Sequence, residues 1–172
     1  MLRKIAITGP ESTGKTTLCR LLAEHYQCLM VPEMARLILE RDGPEYDATK
    51  VEQMAWIQLE EEKIMENQAK EKNHPYLFSD TNLLVYQVWM EFRYGYCPEW
   101  IKDEVKHSNY DLQLLLKPDI PWQADPLREN PHNREQIYLH YETLLQNQKG
   151  RWESIGGVQR FPLALMAIGE IP

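Results

Sequence analysis

Lys4-Ile-Ala-Ile-Thr-Gly-Pro-Glu-Ser-Thr-Gly-Lys-Thr-Thr-Leu18 decides the fold. Its segment Gly9-Pro10-Glu11-Ser12-Thr13-Gly14-Lys15-Thr16 satisfies G-x-x-x-x-G-K-[ST] at each specified position. The flanks agree with the motif. Ile5, Ala6 and Ile7 form a short apolar run of the kind a buried parallel strand shows, and Leu18, Leu21 and Leu22 open a helical period. A strand–loop–helix junction of this kind turns successive backbone N–H groups, here those of Glu11 to Thr17, toward one point. The positive end of the helix dipole then stands behind them. Gly9 and Gly14 permit backbone angles that a side chain forbids. The pattern predicts a nucleoside triphosphate site, with Lys15 reaching the β- and γ-phosphates and the Thr16 hydroxyl on Mg²⁺.

Outward from that stretch, strands alternate with helices. The reading is a strand over 3–8, a helix over 15–26, a strand over 28–31, a helix over 33–41 and a turn at Asp42-Gly43-Pro44. A long polar helix follows over 49–72, then a strand over 76–80 ending in Asp80, a helix over 82–94 and a short helix. Residues 112–116 form a further strand, 117–132 a proline-rich irregular loop, and 133–148 a helix with Ile137, Tyr141, Leu144 and Leu145 on one face. A weak strand at 152–155 precedes a last helix opened by Gly156-Gly157. This alternation implies a parallel sheet covered on both faces, with its sites at the C-terminal ends of the strands. Residues 1–172 read as one P-loop domain with a lid at about 117–134.

Composition narrows the function classes. The net charge is −7, from 26 acidic against 19 basic residues, and no Lys/Arg block is present. This argues against a nucleic-acid surface. No apolar run approaches the roughly 18–20 residues of a membrane span. Cys19, Cys28 and Cys97 are widely spaced and form no C-x-x-C pair, which suits reduced thiols and a cytoplasmic protein acting on small molecules. The oligomeric state is left open.

Strand ends supply the chemical candidates. Asp80 suits a Mg²⁺ partner and equally an N-cap for the helix after it. Glu33, after the second strand, is placed either to take a proton from a substrate hydroxyl or to favour a helix dipole. Arg36 clamps a phosphate or pairs with Glu33 or Glu40. In the loop Asp119-Ile-Pro-Trp-Gln-Ala-Asp-Pro-Leu-Arg128, Arg128 and Arg134 suit a lid bringing positive charge onto a migrating phosphoryl group. Trp122 stacks on a substrate ring or anchors the loop. Asp119 and Asp125 bind sugar hydroxyls or stiffen the loop. None of the five histidines has a catalytic partner at a recognisable spacing.

In order, the P-loop, Val31-Pro32-Glu33-x-Ala35-Arg36, Phe78-Ser79-Asp80-Thr81-Asn82 and Pro121-Trp122-x-Ala124-Asp125-x-x-Arg128 resemble the ribosylnicotinamide kinase domain of NadR-type proteins and the related stand-alone P-loop ATPases and kinases of NAD metabolism. The resemblance implies a three-layer nucleoside/nucleotide-kinase-like P-loop fold with sheet order 2-3-1-4-5. It also implies transfer of the ATP γ-phosphate to the 5′-hydroxyl of nicotinamide riboside. Carried over, Lys15 and Thr16 hold phosphate and Mg²⁺, Asp80 assists the metal or acts as base, Trp122 stacks on the nicotinamide ring, and Arg128 is the lid arginine. The chain departs from the family pattern at Asn82, where a second Asp is common, and at Pro126, where Gly is common. Two rival readings stand beside this one: another nucleoside or nucleotide kinase, and a regulatory P-loop ATPase.

Overall fold

The computed structural model describes residues 1–169. Five parallel strands form one sheet: β1 (Arg3–Thr8), β2 (Leu29–Val31), β3 (Tyr76–Asp80), β4 (Leu112–Leu116) and β5 (Trp152–Ile155), in the order β2-β3-β1-β4-β5. This is the order the family resemblance implies. The central strand is β1, whose Ile5, Ala6 and Ile7 are fully buried, and its C-terminal end feeds the Gly9–Gly14 loop. In register with β3, Ile7 lies beside Asp80, so the carboxylate that closes β3 emerges next to the loop.

The strands alternate their side chains between two cores, as a period of two requires. Leu112, Leu114 and Leu116 of β4 join Ile5 and Ile7 under α1 (Lys15–Tyr26) and α7 (Arg160–Gly169). Leu115 points to the opposite face, where α2 (Met34–Asp42), α3 (Ala48–Glu71), α4 (Leu83–Tyr94), α5 (Glu99–Lys106) and α6 (Arg134–Gln146) bury Val51, Met54, Tyr86, Ile101 and Tyr141. Cys19 is fully buried in the first core, in the small apolar role its place in α1 suggests.

Most element ends fall within two residues of their sequence-based positions. The exception is α7, which starts at Arg160 and not at the Gly156-Gly157 pair. Gly157 takes φ 74°, outside the helical region. The Asp119 carboxylate accepts its N–H at 2.6 Å and is also gripped by Arg160, so this stretch is held as a loop. No helix among the described residues is long and apolar enough to cross a membrane.

Candidate active site

At the C-terminal edge of the sheet, the loops after β1, β2, β3, β4 and β5 surround one cavity of about 680 Å³. Its floor is the P-loop. Gly9 has φ 131°, and a Cβ there would lie 2.8 Å from the Leu116 carbonyl oxygen. Gly14 has φ 85° as the N-cap of α1. Both positions therefore require glycine. Lys15 Nζ donates to the carbonyl oxygens of Gly9 (2.9 Å) and Pro10 (2.8 Å), which holds its charge over the loop.

Asp80 is almost fully buried, and its Oδ1 has no hydrogen-bond partner. Burial raises its carboxyl above the ordinary range, while a hydrogen bond from Thr16 and the charge of Lys15 act the other way. The helix after β3 is capped by position by Asn82, without a side-chain cap bond. The capping alternative for Asp80 therefore has no support. A buried carboxylate oxygen with a free lone pair, beside a threonine hydroxyl, is an oxygen donor set suited to a hard cation. Asn82 itself turns away from the cavity and donates to Gln113 Oε1 at 2.9 Å. Thr81, between Asp80 and Asn82, holds φ 83°. For a β-branched residue that angle is a strained conformation, here fixed at the functional edge of the sheet.

Glu33 stands at the N-cap of α2 but makes no side-chain cap bond. It lines the cavity instead, and burial raises its carboxyl. Lys15 and Arg36 counter that shift, and Asp80 and Glu11 add to it. Arg36 pairs with Glu40 (2.8 Å) and Asp125 (2.8 Å). Asp125 also accepts the Leu127 N–H at 3.0 Å, and the Arg36 hydrogen bond holds its carboxyl below the ordinary range. Asp125 thus stiffens its loop and ties it to α2.

The irregular 117–133 segment lies across the P-loop. Ser12 Oγ accepts from the Gln123 N–H (2.9 Å) and from Arg128 (3.5 Å), and the Ser12 carbonyl oxygen accepts from Arg134 (3.1 Å). Arg128 also donates to the Gln123 carbonyl at 2.7 Å, and Arg134 to that of Ile120 at 3.0 Å. Glu11 Oε2 accepts the N–H groups of Glu129 and Asn130, each at 3.0 Å. Both expected arginines therefore sit at the loop, with Arg128 facing the cavity.

One expectation needs correction. Trp122 is not on the cavity wall; its ring lies beneath the Arg134 guanidinium, 5.6 Å from centroid to carbon. The aromatic wall is built by Tyr86, Trp89 and Phe92 of α4, with Tyr141 of α6. Tyr86, Trp89 and Phe92 recur every three residues along α4, but a cavity-facing stripe has the same period as a core-facing one. Arg41 is an exposed partner of Asp42, whereas Arg93 of α4 lines the cavity beside Arg36. One histidine has a carboxylate partner that no sequence spacing reveals: His140 of α6 meets Glu91 of α4 at 2.6 Å.

The cavity lining comes from both sides of the sheet: the P-loop with Leu21, Gly157, Val158 and Phe161 on the side of α1 and α7 forms one arm, and Leu39, Trp89, Phe92, Arg93 and Ile137 of α2, α4 and α6 form the other, the acceptor arm. Fold and site together define a P-loop NTPase of nucleoside/nucleotide-kinase architecture. The family model of an AAA domain matches residues 4–158, and the chain belongs to that family. A structure of NadR protein in complex with NR superposes with a TM-score of 0.79 at 21% identity, covering 98% of this chain and 51% of the other. Deoxyadenosine kinase from M. mycoides with bound dATP gives 0.65 at 15% identity, covering 98% of this chain and 100% of that one. Thymidylate kinase from Ehrlichia chaffeensis gives 0.69 at 16%, covering 98% of each. The chain spans about half the length of the NadR chains it resembles. The NadR-type resemblance read from the sequence is thus borne out in the fold.

Proposed function

We propose that the chain is an ATP-dependent small-molecule kinase that phosphorylates the 5′-hydroxyl of nicotinamide riboside to give nicotinamide mononucleotide. The observation that carries this reading is one cavity lined at once by the P-loop, Glu33 and the aromatic residues of α4. A switch ATPase needs only the first of these. In the proposed reaction, Glu33 takes the proton of the acceptor hydroxyl, whose oxygen attacks the γ-phosphorus as the bond to the β–γ bridging oxygen breaks and ADP leaves. The P-loop N–H groups and Lys15 hold the phosphates in line. Arg128 and Arg134, on the lid formed by 117–134, neutralise charge and exclude water. Thr16 and Asp80 would hold Mg²⁺, which supplies charge neutralisation across the β- and γ-phosphates. Trp89 and Phe92 offer the flat apolar surface that an acceptor ring requires. The likeness to NadR in complex with NR makes nicotinamide riboside the preferred acceptor. The charge balance of the chain and its reduced cysteines suit a cytoplasmic enzyme without a nucleic-acid partner.

A second reading has its own observation. Arg36 and Arg93 both reach the acceptor arm, and two guanidinium groups suit the phosphate of a nucleoside monophosphate. Each is already paired with a carboxylate of the lid, Asp125 or Glu129 respectively, which favours the uncharged hydroxyl acceptor. ADP release from Mg·ATP with a panel of nicotinamide riboside, common nucleosides and their monophosphates decides between them. Stimulation by nicotinamide riboside alone is expected. Stimulation by a monophosphate alone moves the assignment to a nucleotide kinase, and none by any acceptor moves it to a regulatory ATPase.

A further inference from the structure

From the lid, Glu129 contacts both the P-loop and α4. Its backbone N–H, with that of Asn130, donates to Glu11 Oε2 of the P-loop at 3.0 Å. Its own carboxylate accepts the Tyr46 hydroxyl at 2.5 Å and pairs with Arg93 of α4. The Arg93 guanidinium lies 4.7 Å from the centroid of the Tyr46 ring, which packs T-shaped with Trp89 at 5.0 Å between centroids. Glu11, Glu129, Arg93 and Trp89 all line the same cavity. A continuous set of contacts therefore runs from the nucleotide loop, through one lid residue, to the aromatic wall of the acceptor arm.

We propose that Glu129 is a positioning residue that couples the two arms, so that a nucleotide on the P-loop orders the acceptor pocket through it. The inference rests on reading the cavity as one nucleotide-plus-acceptor site. The physical reason lies in the two attachments. Two consecutive N–H groups aimed at one carboxylate oxygen fix the lid backbone at Glu129 relative to Glu11. With the backbone fixed, the Glu129 carboxylate has a fixed reach to Tyr46 and Arg93. A ligand that orders the P-loop thereby lowers the cost of ordering the α2–α3 loop that carries Tyr46, and the effect is reciprocal. Asp125 makes a parallel tie to Arg36, but it does not line the cavity and it contacts no P-loop residue in the described hydrogen bonds. The coupling is accordingly assigned to Glu129.

The test is amide hydrogen exchange of the full chain with and without Mg·AMP-PNP, which needs no acceptor. In the wild type the analogue is expected to slow exchange in both the 127–131 lid segment and the 44–47 loop, by about fivefold or more. In Glu129→Ala the lid still responds but the 44–47 response is lost. Tyr46→Phe, which keeps the ring and removes only the donated hydroxyl, should weaken the 44–47 response in the same direction. An equal 44–47 response in wild type and Glu129→Ala, or none in the wild type, overturns the proposal. Calorimetric titration of Mg·AMP-PNP accompanies the exchange. If the analogue does not bind the wild type, both the nucleotide site and the coupling fall. If it binds while no acceptor stimulates ADP release, only the kinase assignment falls.

Discussion

Glu33, which lines the cavity, and Asp80, which closes β3 beside the P-loop, are carboxyls pushed up by burial, the kind of shift found where catalytic bases are tuned. The signs give Glu33 two separate consequences. A base must be deprotonated, so a carboxyl raised above its ordinary value of 4.5 moves the acid limb of kcat to higher pH. For stability, a raised folded-state pKa favours the fold below the unfolded value, and that favour is lost as pH rises through the folded one. In its charged form Glu33 is therefore a burden on the fold. Glu33→Gln should lower kcat about 10²–10⁴-fold, abolish the acid limb and leave Tm unchanged or higher. A parallel fall in Tm and activity would mark Glu33 as scaffold. In the proposed reaction Lys15 acts on the phosphates, and its ammonium bonds to the Gly9 and Pro10 carbonyls of the loop, so Lys15→Ala should cost about 10²–10³-fold in kcat with the thermal transition preserved. Near-wild-type turnover in that variant would remove the P-loop from the mechanism. Thr81 shows where residue-level reading stops. Its left-handed backbone is imposed by the junction of β3 and α4, and a threonine gives no sign of it in the sequence.

At the scale of elements, the helices and strands follow from periodicity and punctuation, and the P-loop from its fixed positions. The strand order came with the family resemblance, because a period-two pattern does not say which strand is whose neighbour. The lid was legible as a proline-rich loop between β4 and α6 with two arginines. What it grips was not, since Ser12 and Glu11 meet residues more than a hundred positions away. The α4 wall was hidden for a different reason: side chains that face a cavity and side chains that face a core repeat alike. This distinction bears on the two tryptophans. Trp89 forms part of the wall, and Trp122 lies under Arg134. Trp89→Ala should raise the acceptor KM about tenfold while the ATP KM holds, since a lost stack and its buried area amount to about 1.5 kcal/mol or more. Trp122→Ala should instead lower kcat without a selective KM effect, because it loosens the arginine that bonds Ser12. Steady-state kinetics that reverse these roles would restore Trp122 as the ring partner.

For the whole molecule, the parallel sheet separates chemistry from structural charge. The P-loop, Glu33, Asp80 and the lid follow the C-terminal ends of β1, β2, β3 and β4, as the fold class requires. The N-terminal end of β1 holds another charged cluster, in which Lys4 Nζ pairs with Glu62 (2.8 Å) and Glu66 (3.0 Å) of α3 and accepts no contact from the cavity. The Lys4 and Glu62 side chains are only 11% and 9% exposed, and Lys4 Nζ also lies 5.1 Å from the Tyr110 ring centroid. Burial alone would lower the Lys4 pKa, yet the two glutamates win and raise it. The lysine is held in its charged form. Removing one member of a buried pair leaves an uncompensated charge, at a cost of about 3–5 kcal/mol. Lys4 lies five residues before Gly9 along an extended strand, about 16 Å away, so the loop geometry does not depend on it. Lys4→Ala should therefore lower Tm by about 10 °C or more, while kcat at a temperature well below that transition stays near wild type. Calorimetry paired with ADP-release kinetics separates the two effects. A large loss of kcat in a variant that is still folded would show that strain at the N-terminal edge of the sheet reaches the P-loop through β1, and the division between a stabilising edge and a chemical edge would fail.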